Sequence, residues 1–160
     1  MLKALKVDNY VLIKSLRFEP SEGFNIITGE TGAGKSILIG ALGLILGERA
    51  DTQIVAESGL KCVIEGVFDV SGLGLKPMFD RLDLDHFEET ILRREILASG
   101  KSRAFINDTP VNLATLKEVG SRLVDIHSQH QTLQLGNHTF LFDWLDTVSG
   151  VNDLASTYTA

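Results

Sequence analysis

The stretch GETGAGKS, residues 29–36, has the spacing G-x-x-x-x-G-K-S, which is typical of a loop that binds phosphate groups. Gly32 and Gly34 can adopt backbone angles that a side chain would forbid, so successive N–H groups can turn toward one anion. Lys35 adds a positive charge facing the β- and γ-phosphates, and the hydroxyl of Ser36 is a ligand for Mg²⁺. We therefore expect this loop to bind a nucleoside triphosphate together with Mg²⁺.

The expected contacts extend one residue beyond the loop. The residues expected to contact the nucleotide are Gly29, Glu30, Thr31, Gly32, Ala33, Gly34, Lys35, Ser36 and Ile37. Lys35 is also expected to act in catalysis by stabilising charge on the phosphates, and Ser36 to hold the metal. The loop by itself does not choose between adenine and guanine.

A phosphate loop lies between a strand and a helix, and the flanking sequence predicts both. Residues 24–28, FNIIT, predict a short buried strand. Residues 36–46 carry apolar side chains at helical spacing and on the opposite face as well, which predicts a helix that is buried nearly all round. Gly47 is a stop signal for this helix.

The other predicted elements are mainly strands. Residues 61–70 alternate in polarity and place Cys62, Ile64, Phe68 and Val70 on one face. The remaining predictions are strands and turns within 2–28, a short helix within 78–89, a hairpin made of TILRREIL and SRAFIND, a turn at NDTP, a helix from Asn112 to about Arg122, a short apolar strand at LVDIH and a helix over 139–148.

Composition limits the class of protein. The 160 residues are 44% hydrophobic and 22% charged, as in an ordinary globular domain. No apolar run reaches the roughly 18 residues that would cross a bilayer, and the N-terminus has no secretory pattern. Cys62 is the one cysteine, so no internal disulfide can form. These features predict a cytoplasmic protein without a membrane partner.

Hydrolysis of a bound triphosphate usually needs an acidic residue at the end of an apolar strand, and none is well placed in this sequence. Three aspartates follow apolar residues, and each is better explained as structural: Asp69, Asp125 and Asp143. Asp125 is the strongest of them, because it lies on a plausible strand and precedes polar residues. None is part of an acidic pair at a strand end.

The segment SQHQ, which follows LVDIH, offers other chemistry. Zinc at His127, His130 and His138 would lack an accompanying cysteine or carboxylate cluster. A glutamine fits better after an apolar strand, since a neutral amide can ligate Mg²⁺ through its oxygen and orient a water.

Three segments carry a family resemblance: NYVLIKSLRFEPSEGFNIITGETGAGKSILIGALGLILGERAD, KSRAFINDTPV and LVDIHSQHQ. Together they span about residues 7–131. The first would fit several families of ATPase heads, and the last two are much more specific. The chain resembles the N-terminal half of the ATPase head of the RecN family of bacterial DNA repair proteins, which are relatives of the structural maintenance of chromosomes (SMC) proteins.

The resemblance implies an α/β P-loop NTPase fold, namely an ABC-type head lobe with a strand-rich N-terminal region. It implies ATP and Mg²⁺ as ligands, and Gln129 as the catalytic and metal-binding glutamine of the Q-loop, with Gln131 as the alternative. A signature LSGGE and a Walker B acidic pair are missing from this sequence. The lobe is therefore expected to be incomplete without a C-terminal half that carries them.

This resemblance also implies partners and boundaries. The partners are the C-terminal half of the same head, a second head in a dimer, and DNA in the full-length, nucleoid-associated protein. Residues 1–148 are expected to form the N-terminal lobe, and 149–160 to begin a truncated connection to a coiled coil. Two alternatives remain open: a self-sufficient small kinase or NTPase that uses Asp125 as its acid, and a non-catalytic interaction module.

Positive charge is clustered despite the net charge of −6. Arg93, Arg94, Lys101 and Arg103 lie on and between two adjacent predicted strands. They predict a basic surface for DNA on the assembled head. The alternative is that they keep the edges of the sheet soluble.

Overall fold

The computed structural model describes residues 1–29, 34–50 and 60–126. Residues Met1–Asp125 belong to one compact unit. The predicted helix over 139–148 lies outside the described residues, and so do Asp143, Gln129, Gln131 and the three histidines considered for zinc. No helix of the described part is long and apolar enough to cross a bilayer.

Within the described residues, six strands form one antiparallel sheet, and three helices accompany it. The strands are β1 (Leu2–Tyr10), β2 (Ile13–Phe18), β3 (Cys62–Asp69), β4 (Glu89–Ile96), β5 (Ser102–Ile106) and β6 (Thr109–Val111), and the helices are α1 (Gly34–Ile45), α2 (Lys76–Arg81) and α3 (Leu113–Leu123). The strand order is β2-β1-β3-β4-β5-β6. Among these pairs, only β1 and β3 are not consecutive along the chain. The phosphate loop and α1 lie in the segment between β2 and β3.

One face of the sheet forms the core. Along β3 the buried residues Cys62, Ile64 and Phe68 alternate with partly exposed ones, as the sequence predicted. Helix α1 packs on β3 and β4, and α3 packs on β5. Leu5, Ile45 and Leu116 are fully buried between these layers, so the two helices cover the apolar face of the sheet.

Two glycines set how closely α1 and α3 approach. Gly47, just after α1, has a φ of +95°, and a β-carbon there would lie 2.6 Å from the Cα of Lys117. Gly120 lies inside α3, and its β-carbon would lie 2.9 Å from the Cα of Leu46. The predicted stop at Gly47 is confirmed, and its left-handed backbone is a conformation that glycine adopts without strain.

The predicted hairpin is confirmed, and the structure adds a second one. β4 and β5 pair with Arg94 opposite Ala104. The predicted turn at NDTP is the tip of a β5–β6 hairpin, in which Asn107 and Asp108 have φ values of +47° and +66°. The three-residue strand β6 was not predicted, because it is short and contains Pro110, which an edge strand tolerates.

Two helix predictions are confirmed with shifted bounds. Asn112 caps α3, since its side-chain oxygen accepts a hydrogen bond of 2.8 Å from the backbone N–H of Thr115. The short helix expected within 78–89 begins earlier, at Lys76, where Pro77 fits the first turn.

Three predictions about burial and strands are wrong. Residues 24–28 form no strand, and Phe24 is 88% exposed, because no described strand lies beside this segment. Helix α1 is not buried all round: Ile39 is 46% exposed, and only the C-terminal half of the helix is buried. Residues 124–126 form no strand, and they are not part of the sheet that the described strands form.

Candidate phosphate-binding site

The two ends of the predicted phosphate loop are described, whereas Glu30, Thr31, Gly32 and Ala33 lie outside the described residues. Gly29 ends the incoming segment, and α1 begins at Gly34. The ammonium of Lys35 donates a hydrogen bond to the carbonyl of Gly29. The lysine charge therefore lies between the residue that enters the loop and the helix that leaves it.

The N-terminus of α1 is suited to an anion. Its first turn contains no acidic side chain, and Lys35 and Ser36 are both exposed there. The unpaired N–H groups and the helix dipole favour negative charge at this end. Ile37 is partly buried, and its side chain packs against the core, which anchors the first turn of the helix.

A cleft of about 640 Å³ opens beside the loop. One wall is β2, which contributes Ile13, Leu16 and Phe18, and the other consists of residues 26–29 and the start of α1. Its size suits a small-molecule ligand, and its lining combines apolar side chains with the charges of Lys35 and Arg17. The sequence predictions missed the β2 wall, although they placed strands and turns within residues 2–28.

No acidic side chain of the described residues lines this cleft. Asp69 lies at the end of β3, where its carboxylate accepts hydrogen bonds from the hydroxyl and the backbone N–H of Ser71 and lies 3.6 Å from the ammonium of Lys3. The Ser71 hydroxyl and then its N–H, helped by Lys3, hold the pKa of Asp69 below its usual value. Asp69 is therefore a turn-capping carboxylate and is poorly suited to accept a proton.

Asp125 is exposed and lies two residues beyond α3, outside any strand. It does not line the cleft either. The reason for preferring it as an acid, its position on a strand, is thus removed.

The structure separates the predicted basic cluster. Arg93 and Arg94 are neighbours on β4 and point to opposite faces of the sheet. Arg94 is only 4% exposed on the core face. Arg93 lies on the other face, among the carboxylates of Glu65, Glu95 and Asp108. The expected single basic surface is therefore wrong, because a strand alternates its side chains and acidic neighbours neutralise Arg93.

Comparison with known sequences gives a consistent result. A family model described as an AAA domain matches residues 4–72. The DNA repair protein RecN of Vibrio cholerae is 41% identical over 155 residues, which cover 96% of this chain and 28% of that protein. RecN of Bacillus subtilis is 38% identical over 148 residues, which cover 89% and 26%. The chain thus spans a little over a quarter of the length of these relatives.

Solved structures of low sequence identity share the fold. A chain from work on ATP-driven dimerization and DNA-stimulated activation of SMC ATPases has a TM-score of 0.61 at 16% identity, covering 88% of this chain and 90% of that one. The recombination mediator protein RecF with ATP has a TM-score of 0.54 at 22% identity, covering 77% and 30%. The chain therefore resembles the RecN family of DNA repair proteins over nearly its whole length and has the fold of an SMC-like, ABC-type ATPase head.

Proposed function

We propose that this chain is the ATP-binding half of the ATPase head of a DNA repair protein. One observation carries the proposal: a G-x-x-x-x-G-K-S sequence opens a helix beside a cleft that no described acidic side chain lines. The arrangement supplies binding groups for a triphosphate and no described group to activate water. The whole protein would act on DNA, as the name of its relatives, DNA repair protein RecN, suggests. We propose the cytoplasm as its compartment.

Residues 29–37 would hold the phosphates, with Lys35 stabilising the charge that develops on them. Mg²⁺ fits the described part of the site through the exposed hydroxyl of Ser36, because this ion prefers oxygen ligands and keeps phosphates and waters around it. Gln129 is proposed as a second oxygen ligand. When bound, the ion would neutralise phosphate charge.

The missing acid and the closing loop would come from the C-terminal half of the head and from a second head in a dimer. The exposed segment before the loop supports an absent neighbour: Phe24, Ile26 and Ile27 are 88%, 72% and 46% exposed. Isolated apolar side chains are common on surfaces, but a run of this kind directly before a functional loop is typical of an interaction site. Residues 1–148 would form the N-terminal lobe, and 149–160 would lead toward a coiled coil.

Calorimetry of the chain with ATP and Mg²⁺ tests the binding step. Lys35→Ala should weaken binding sharply, because it removes the cation at the loop, and Ser36→Ala should weaken the Mg²⁺-dependent part. Lys14→Ala is a matched control, since it removes an exposed lysine of β2 that does not line the cleft. Equal affinity of wild type and Lys35→Ala would refute the proposal.

A turnover assay tests the need for the second half. The chain alone should hydrolyse ATP at background rate, and adding the C-terminal half should restore hydrolysis. Gln129→Ala in the restored protein should lower turnover more than ATP binding. If the chain alone turns over at about one per second or faster, within the usual enzyme range, and Asp125→Asn abolishes this activity, the chain is a self-sufficient enzyme instead.

A further inference from the structure

Two neighbouring arginines of β4 have opposite surroundings. The guanidinium of Arg93 lies 3.1 Å from Asp108, 3.8 Å from Glu95 and 4.0 Å from Glu65, and 4.5 Å from the centre of the Phe105 ring. Arg94 forms no ion pair with any described carboxylate. Its guanidinium nitrogen Nη2 donates to the hydroxyl of Ser102 at 2.9 Å, and its Nε has no hydrogen-bond partner in the described part of the chain.

A buried cation without a counter-charge is costly. Desolvation lowers the pKa of the Arg94 guanidinium, but an arginine side chain still keeps its proton in a protein. Apolar residues of similar size would pack at this position without that cost. The position therefore calls for an anion that the described chain does not supply.

Arg94 lines a cavity of about 500 Å³ at the edge of the sheet. The cavity forms where β6 ends at Val111 and the chain turns into α3. Ser102 and Arg103 of β5 therefore have no β6 residue opposite them. Ala104 and Arg94 are buried at its base, whereas Ser102, Arg103 and Asn112 are exposed around it. Solvent and ligands can thus reach the cavity from this side.

The polar groups around the cavity are mostly hydrogen-bond donors. Arg94 and Arg103 carry two positive charges, and no carboxylate is among the described residues that line the cavity. The side-chain oxygen of Asn112 accepts a hydrogen bond from the backbone N–H of Thr115, so the side-chain NH₂ group is the part of Asn112 that can donate to a ligand. The N-terminus of α3 begins at Leu113, which also lines the cavity, and its dipole adds positive potential.

We propose that this cavity is a second oxyanion site, separate from the phosphate loop, in which Arg94, Ser102, Arg103 and Asn112 bind a phosphate group. The two sites have none of their described lining residues in common. The phosphate can belong to a free oxyanion or to the backbone of a nucleic acid, since guanidinium groups bind both through the same fork of N–H donors. The cavity exceeds a single phosphate, so a sugar or a second phosphate also fits.

The test uses the whole 160-residue chain with Lys35→Ala, so that the phosphate loop does not contribute. Inorganic phosphate is titrated at constant ionic strength, and the backbone amide signals of Ser102, Arg103 and Leu113 are followed by NMR. These signals should shift together along one binding curve. Arg103→Gln should weaken the binding about tenfold, whereas Lys101→Gln, which removes an exposed charge outside the cavity lining, should leave it unchanged.

Arg94→Met tests the buried charge itself. This variant should abolish the response to phosphate, and its melting temperature should no longer rise with phosphate relative to chloride. Arg103→Gln keeps the test decisive if Arg94→Met does not fold, because Arg103 is exposed. Repeating the titration with a short oligothymidylate shows which kind of phosphate the cavity binds. Shifts at the same amides indicate the backbone of a nucleic acid, and their absence indicates a free oxyanion.

Two results would overturn the proposal. One is that phosphate leaves these amides unmoved in the Lys35→Ala background. The other is that Lys101→Gln weakens the response as much as Arg103→Gln, which would show that phosphate follows general surface charge. Loss of ATP binding at the loop would not affect either readout, so the two proposals fail independently.

Discussion

Replacing Gly120 with alanine should destabilise the fold, although alanine is the better helix former. In the interior of a helix, alanine is favoured over glycine by about 0.8–1.0 kcal/mol. At Gly120 the new β-carbon would lie 2.9 Å from the Cα and 3.1 Å from the carbonyl oxygen of Leu46. These are backbone atoms at the end of α1, so they can move aside only if the helix moves.

Forcing a methyl group into such a contact costs roughly 1–3 kcal/mol. The overlap therefore exceeds the gain in helix propensity, and we expect a net loss of about 1 kcal/mol in the free energy of unfolding. Gly43→Ala is the matched control. Its β-carbon would meet the carboxylate of Glu48, the far end of a flexible and exposed side chain. Accommodating this methyl group displaces the end of a side chain rather than the backbone of a helix, so this variant should lose less stability than Gly120→Ala.

Urea denaturation followed by circular dichroism measures both variants. The midpoint should fall further for Gly120→Ala than for Gly43→Ala, with equal slopes. The reasoning would be refuted if both substitutions raised the midpoint by the same amount. In that case helix propensity alone would set the outcome, and the contact between α1 and α3 would be looser than the structure shows.

Three further predictions concern single side chains. Asn112→Ala should cost about 1 kcal/mol of stability in the same urea assay, because it removes the cap of α3, and Asn112→Asp should retain most of it. The pKa of Asp69 is lowered in the folded state, so its carboxylate stabilises the fold above its ordinary pKa, and this stabilisation is lost as the pH falls through the lowered value. Asp69→Asn should therefore make the free energy of unfolding depend less on pH on the acid side. Burial raises the pKa of Cys62 to about 11, so the neutral thiol stabilises the fold below about pH 9, and this stabilisation is lost as the pH rises toward 11. Alkylation of the folded chain at pH 8 should accordingly be far slower than in urea, and equal rates would contradict the buried thiol.

Local patterns predicted the elements whose partners are close in sequence. The alternation over 61–70 and the two halves of the β4–β5 hairpin specify strands because each has an apolar face and a neighbour nearby. Asn112 predicts the start of α3, because a capping side chain binds a backbone N–H no more than three residues away. The phosphate loop is likewise a local signal, since its glycines and lysine act through the backbone that they occupy.

The failed predictions depended on partners distant in sequence. FNIIT has the composition of a buried strand, yet burial requires a neighbouring strand, and none of the described strands supplies one. The basic cluster failed for a related reason: β4 directs Arg93 toward acidic residues from β3 and the β5–β6 turn, and Arg94 toward the helices. The sequence predicts that these two arginines point to opposite faces of the sheet, but it does not predict which residues pack on each face.

The connection between β2 and β3 has a consequence for the order of folding. Strands β3 to β6 pair with neighbours along the chain, whereas β1 must find β3 across the segment that contains the phosphate loop and α1, with Leu5 opposite Gly66. Closing a long segment costs entropy that grows only slowly with length, so this connection can gain or lose residues at little cost in stability. Pairing at such a separation is nevertheless slow to form. We therefore expect the loop to gain its binding shape late, so that a bound nucleotide slows unfolding and leaves the rate of folding nearly unchanged.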